Sequence, residues 1–261
     1  MNVKQNLQKL QKMIPGSWLY QVQNLHSNLI FRWILRVKSQ PQILSQKSAM
    51  VFSPHQDDET FGCGGMIALK RKQGIPVSVV FLTDGQGNGG SKASSKDKII
   101  EIRKQEAEAA LKILGVEANF IHFLDKVDGS LQYLHDESKQ KTIEQIAKLL
   151  IDCKPGEVYV PHSKDCHCDH EATYTLVKEA LALSKIEVEL LQYPIWMFWR
   201  APLFIILKLK DIAAARRLSI APVQLLKEQA IASYCSQVES LPRGFVKRFL
   251  NPYEIFFKVE L

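Results

Sequence analysis

The chain has 261 residues, 46% hydrophobic and 23% charged, a composition that excludes disorder and fibrous repeats. Five cysteines are an odd and sparse set, which argues against a secreted disulfide framework and for a reducing, cytoplasmic setting. The net charge of +7 is unevenly placed: residues 1–50 hold seven Lys or Arg and no acid, residues 51–192 hold 17 bases and 22 acids, and residues 193–248 hold nine bases and three acids.

Residues 1–47 read as a basic amphipathic leader in which Trp18, Leu29, Ile30, Phe31, Trp33, Ile34 and Leu35 accompany the positive charge. Gln21, Gln23, Asn24, His26, Asn28 and Arg32 interrupt it, so it does not make the roughly 20-residue apolar run of a membrane span. Met1 to Lys12 lacks the apolar core of a signal peptide. The residues from 193 are basic and aromatic too, with Ile195, Trp196, Phe198, Trp199 and Phe204 to Leu207, interrupted by Arg200, Pro202, Lys208 and Lys210. Both flanks are therefore expected to meet an anionic membrane surface peripherally, to pack on the fold, or to support an oligomer.

Between them, Ala49 to Ser53 reads as a buried strand, Gly62 to Gln73 as a helix entered through a Gly-rich turn, and Pro76 to Thr83 as the clearest strand. Gly85 to Ser95 reads as a flexible loop, and Lys98 to Leu114 as a helix closed by Gly115. A strand at Asn119 to Phe123, a helix at Ser138 to Asp152, a strand at Glu157 to Pro161, a helix from about His170 to Leu183 and a strand at Glu187 to Gln192 follow. This alternation implies an α/β fold with a mostly parallel sheet and helices on both faces. Ligands in such sheets sit beyond the carboxyl ends of the strands. That places His55 to Glu59, Asp84, Asp125 to Asp128 and His162 to His170 at one end.

Two of these segments are dense in chemistry: S-P-H-Q-D-D-E-T-F-G-C-G-G from Ser53 to Gly65, and P-H-S-K-D-C-H-C-D-H from Pro161 to His170. Imidazole and carboxylate together form the ligand set of catalytic zinc sites, which use three protein ligands and leave a position for water. A His and an Asp three apart on one turn, with a His from another strand end, would make such a site, and a spare carboxylate would serve as base toward the water. Lone histidines are more often structural hydrogen-bonders, and His26, His122 and His135 are read so. His162 is left unassigned, and Asp84 is read equally well as a turn-forming Asp-Gly.

The ordered motifs resemble those of the LmbE-like family of zinc-dependent N-deacetylases, which includes N-acetylglucosaminyl-phosphatidylinositol (PIG-L) deacetylases and the deacetylases of mycothiol and bacillithiol synthesis. P-H-x-D-D-E lies at Pro54 to Glu59 with the glycine pair Gly64 and Gly65, and D-x-H-x-D-H lies at Asp165 to His170. Between them come T-D-G at Thr83 to Gly85, R-x-x-E at Arg103 to Glu106, L-G-V at Leu114 to Val116 and D-G-x-L at Asp128 to Leu131. The resemblance covers about residues 48–192, inside a deacetylase domain taken as 48–261 whose extension is 193–261. It implies a Rossmann-like sheet, Zn²⁺ or another divalent ion on His55, Asp58 and His170, Asp57 as general base, and His167, held by Asp169, as cationic electrophile or acid. Arg103 and Asp128 would line the substrate pocket. The family often has proline where Cys168 stands; Cys166 and Cys168 offer a thiolate site as the alternative, disfavoured because adjacent side chains in so tight a turn would struggle to share an ion with His55.

The expected activity is hydrolysis of the acetamide of an N-acetylglucosamine-type glycoconjugate, lipid-linked by the character of the flanks. The alternatives are a soluble deacetylase of a thiol precursor or antibiotic glycoside, and a metal-binding protein without turnover, which Asp57 and His167 argue against. A nucleotide-binding reading fails because Phe61 to Gly65 lacks a complete G-x-G-x-x-G, and nucleic-acid binding has only net charge behind it.

Overall fold

The computed structural model describes residues 16–87, 93–201 and 207–260. Val77–Thr83 (β3) and Ala49–Ser53 (β2) are buried along their whole length, as expected of near-continuous apolar runs in the middle of a parallel sheet. Their side chains alternate between two cores: Val51, Val79 and Phe81 enter one, and Met50, Phe52, Val80 and Leu82 enter the other. Helices Asp58–Lys72 (α2) and Ala93–Ile113 (α3) cover the first face, and Asp136–Cys153 (α4) and Cys168–Ser184 (α5) the second. Helices thus flank both faces of a mixed α/β sheet, as the alternation predicts.

The sheet has eight strands in the order β1-β7-β8-β6-β5-β2-β3-β4, with Gln40–Pro41 (β1), Ile121–Lys126 (β4), Glu157–Pro161 (β5), Glu189–Tyr193 (β6), Ala215–Ser219 (β7) and Tyr253–Val259 (β8). The strands β4, β3, β2, β5 and β6 run parallel, and β8 pairs antiparallel with both β6 and β7. From β2 the chain winds out to β3 and β4 on one side and later returns to β5 on the other. The β2/β5 junction is therefore a topological switch point, where a crevice opens beyond the strand ends.

The strand at 157–161 falls as expected, and the other expected elements lie within a few residues of their places. Two helices begin earlier than expected: α3 at Ala93 rather than Lys98, and α2 at Asp58 rather than Gly62, so that Asp58 and Glu59 sit in the first turn of α2, where helix-dipole charge favours acids. The glycines lie inside this helix because neighbours come too close for a side chain. A Cβ on Gly62 would stand 2.3 Å from the Tyr193 ring, and one on Gly65 would stand 2.4 Å from Ile220. Gly65→Ala is expected to destabilise the fold by about 1–3 kcal/mol through overpacking, read as a lowered Tm; an unchanged Tm would contradict this contact.

The segment beyond residue 193 builds one wall of the site. Met197–Arg200 (α6), Gln224–Ala232 (α7), Cys235–Val238 (α8) and Arg243–Phe249 (α9) precede β8 in chain order; α7 and β8 pack against α2, and Phe245 and Phe249 of α9 meet Phe61 of α2. Lys227 of α7 and Glu254 of β8 form a buried ion pair at 2.6 Å. Glu254 accepts the Gly65 and Met66 backbone N–H groups, and Lys227 donates to the Phe61 carbonyl. A leader helix, Gly16–Trp33 (α1), seats Ser27, Ile30 and Phe31 on a third apolar cluster with Met197 and Phe198. Of the loop expected at Gly85 to Ser95, residues 88–92 lie outside the described residues and 93–95 form the start of α3 instead; of the apolar run Phe204 to Leu207, residues 204–206 lie outside them.

Candidate active site

Residues 54–57 turn the chain from β2 into α2. Asp57 sits there at φ 143°, a conformation that costs a non-glycine residue about 1–3 kcal/mol and points adjacent aspartates in different directions. The turn is held by fully buried groups. Glu59 accepts the Asp57 N–H at 3.1 Å and the Tyr234 hydroxyl, Ser53 accepts the Glu59 N–H at 3.0 Å, and Thr83 donates to the Pro54 carbonyl at 2.7 Å. Burial lifts the Glu59 carboxyl to about 7.

Asp58 Oδ2 lies 3.0 Å from His55 Nδ1 and 3.2 Å from His170 Nε2. Donors about 2.0–2.2 Å from a tetrahedral ion lie roughly 3.3–3.5 Å from one another, so these spacings are close to those of ligands sharing a metal. Each histidine also has its second nitrogen beside a carboxylate: His170 Nδ1 is 2.7 Å from Asp165 Oδ2, and His55 Nε2 is 3.2 Å from both Asp128 Oδ1 and Asp169 Oδ2. Carboxylates in that position fix the ring of a metal-ligating histidine and raise its basicity. His170 is fully buried, and neither ring nitrogen makes a well-angled hydrogen bond, which leaves Nε2 facing the cluster with its bonding capacity unused. The donor set thus fits a divalent ion. His167 stands on the same cluster, with one donor atom from each of His55, His167 and His170 lying within 4.8 Å of the others.

Electrostatics follow from this crowding. Burial alone would lower His55 and His170, but the surrounding carboxylates outweigh it, holding His55 well above its usual value and His170 at about 9. Burial would raise Asp58, and the two imidazoles overcome it and keep the carboxylate ionised. Asp57 goes the other way. Burial and then the Asp58 charge push it well above the ordinary carboxylate range, with the Arg103 charge pulling it partly back.

One expectation is corrected. Asp169 does not hold His167: its oxygens accept the Gly129 and Leu131 N–H groups at 2.7 and 3.1 Å and face His55, while His167 Nδ1 has no hydrogen-bond partner. Burial first, and then the neighbouring His170 and His55, push the His167 imidazole down to about 3.

The residue that sequence reasoning passed over is Asp165, quoted in the second motif without a role. It is completely buried and accepts the backbone N–H groups of Ile195, Trp196 and Met197, each at 2.9 Å, besides facing His170. One carboxylate thus fixes both a candidate ligand and the segment that walls the cleft.

The cleft holds about 200 Å³. One side is polar, with His55, Asp57, Arg103, Asp128 and His167; the other is apolar, with Phe61, Ile195, Trp196, Leu241 and Phe245. Trp196 and Phe245 stack at 4.3 Å, and the Arg200 guanidinium lies 3.8 Å over Trp196. Arg103 donates to Gln237 of α8, unnoticed in the sequence, and lies 3.9 Å from Asp128. Asp128 accepts the Gly87 N–H at 3.0 Å, and burial, outweighed by His55, leaves it at about 2. Asp84 is a turn residue, accepting the Gln86 and Asp128 N–H groups. His162 accepts the Lys164 N–H and packs on Phe257, away from the cleft lining; His26, His122 and His135 are absent from that lining too.

None of the five cysteines forms a disulfide. The Cys166 thiol faces the Lys164 carbonyl at 3.7 Å, whereas Cys168 lies within 4.8 Å of donors on His167 and Asp169. Cys166→Ser is therefore expected to leave metal content unchanged, measured by elemental analysis; a loss of metal would revive the thiolate alternative.

Residues 50–181 match the family of GlcNAc-PI de-N-acetylases, PIG-L. The chain is 32% identical over 148 residues to a Bacillus subtilis (strain 168) protein named probable N-acetyl-alpha-D-glucosaminyl L-malate deacetylase 2, the match covering 54% of this chain and 64% of that protein. It is also 32% identical over 148 residues to the 4-oxalmesaconate hydratase of Pseudomonas putida KT2440, covering 54% of each. The chain thus spans less than two thirds of the length of these relatives. In fold it is similar to the N,N'-diacetylchitobiose deacetylase of Pyrococcus horikoshii, with a TM-score of 0.64, 21% identity, and 89% of this chain and 92% of that one covered.

Proposed function

The chain belongs to the GlcNAc-PI de-N-acetylase (PIG-L) family, and on that premise we propose that it is a zinc-dependent hydrolase that removes the acetyl group from an N-acetylglucosamine-type amino sugar carried on a lipid. The observation that carries this reading is the pair of histidines, buried His170 and half-buried His55, each with a carboxylate on one ring nitrogen and Asp58 at the other, beside Asp57 on the same turn. His55, Asp58 and His170 would hold the ion. A divalent ion there supplies a water of lowered pKa and polarises the amide oxygen.

The chain's own groups do the rest. Asp57, its carboxyl raised by burial and by the Asp58 charge, takes the water proton and returns it to the departing amine, which a carboxylate of ordinary pKa does poorly. His167 donates an N–H to the oxyanion that develops on the amide carbonyl. Asp128 and Arg103 bind sugar hydroxyls at the polar side, while Trp196 and Phe245 take the apolar face of the ring or its aglycone.

Asp57 must be ionised to act, so kcat/KM is expected to rise with pH through its pKa. Arg103→Gln removes the charge that lowers this pKa, and the acid limb is expected to move to higher pH. A limb that stays in place would separate Asp57 from the titrating base.

A soluble acetamide is the second reading, favoured by the name the B. subtilis relative bears. Primary-amine release from an N-acetylglucosaminyl lipid in liposomes and from a soluble N-acetylglucosaminide decides between them. Release from the lipid alone fits the proposal, release from the soluble compound alone fits the second reading, and release from neither overturns amino-sugar deacetylation.

A further inference from the structure

Helix α1 has two apolar faces. Ser27, Ile30 and Phe31 are buried against the protein, while Trp18, Val22, Leu25 and Leu29 stand on the opposite side at 68%, 61%, 62% and 59% exposure. Their spacing of four, three and four residues draws one stripe along the helix, and the same rhythm continues into the exposed Arg32 and Arg36. Val37 beyond the helix is as bare. An exposed apolar stripe of this length on a helix needs an occupant.

Charge says which one. From Gly16 to Lys38 there is no acid, and α9 adds exposed Arg243 and Lys247, touching α1 where Gly244 meets Asn24. No described helix is long and apolar enough to cross a membrane. A helix with an apolar stripe, a basic border and too little hydrophobicity to span is the pattern of a segment lying in the plane of an anionic bilayer, with Trp at headgroup level.

The inner face of α1 reaches the cleft. Fully buried Arg248 of α9 donates to the Ser27 hydroxyl at 3.0 Å and to the Ile195 carbonyl, and Ile195 lines the cleft beside Trp196. The membrane-facing helix and the apolar wall of the cleft are thus joined through one guanidinium.

We propose that the Trp18, Val22, Leu25, Leu29, Arg32 and Arg36 stripe of α1 docks the protein on an anionic phospholipid surface, beside the cleft that receives the sugar. The purpose of this docking rests on the reading of the substrate as lipid-borne; its test does not. The full chain is sedimented with vesicles of phosphatidylcholine alone and with added phosphatidylglycerol, in parallel with turnover of a soluble N-acetylglucosaminide. Wild type is expected to pellet with the anionic vesicles and to be released by salt. The triple variant Trp18→Ser, Leu25→Ser, Leu29→Ser and the double variant Arg32→Glu, Arg36→Glu are each expected to lose about tenfold or more in partitioning, with soluble turnover unchanged. Absence of wild-type binding, binding retained in both variants, or a wild-type dimer that the triple variant renders monomeric without any lipid binding would overturn the docking surface. Failure of soluble and lipid turnover with binding intact would instead count against the deacetylase reading.

Discussion

Asp57→Asn is expected to lower kcat by roughly 10²–10⁴-fold while the bound metal and the fold persist. Asp57 is separated in role from Asp58 by the turn at φ 143°: Asp58 is buried between two histidine nitrogens, and Asp57 lies on the cleft wall with a raised carboxyl. Asparagine keeps the shape and the hydrogen-bonding backbone of the turn but cannot accept a proton. Metal content by elemental analysis and Tm should match wild type. Near-normal turnover would remove Asp57 as the base, and a lost metal would make it a ligand instead.

The second large effect is expected at Asp165. Asp165→Ala removes the acceptor of three buried backbone N–H groups, and unsatisfied buried donors cost about 1–3 kcal/mol each before relaxation or water entry. A net loss of about 3 kcal/mol is expected, together with a 10–100-fold weaker metal affinity because His170 loses the carboxylate that fixes its ring. The same change frees Ile195 to Met197, so KM should rise with it. Chemical denaturation and metal titration measure the two losses separately. Wild-type metal affinity in a destabilised Asp165→Ala would confine this residue to holding the loop.

The readable parts of the molecule are those where local sequence and final environment coincide. β2, β3 and β5 are short apolar runs buried on both faces, and the two motif clusters stand at the ends of β2 and β5, where a parallel sheet exposes its functional edge. β8 contains Ile255 to Phe257, apolar enough for a strand, but its seat between β6 and β7 depends on pairings that no local spacing encodes. The role of Asp165 was hidden for the same reason, since its three donors lie some thirty positions away. Asp169 and His167 are neighbours by motif, yet the turn at Gly129 to Leu131 and His55 capture the carboxylate.

The most direct measurement is the release of acetate and primary amine from an N-acetylglucosaminide by the purified protein, before chelation, after it, and after resupply of Zn²⁺. Equimolar acetate and amine, lost on chelation and restored by the metal in wild type but not in His170→Ala, is the expected result. Release that survives complete removal of metal, or a metal-loaded protein that releases neither product from the lipid-linked or the soluble sugar, would contradict a metal-dependent amino-sugar deacetylase.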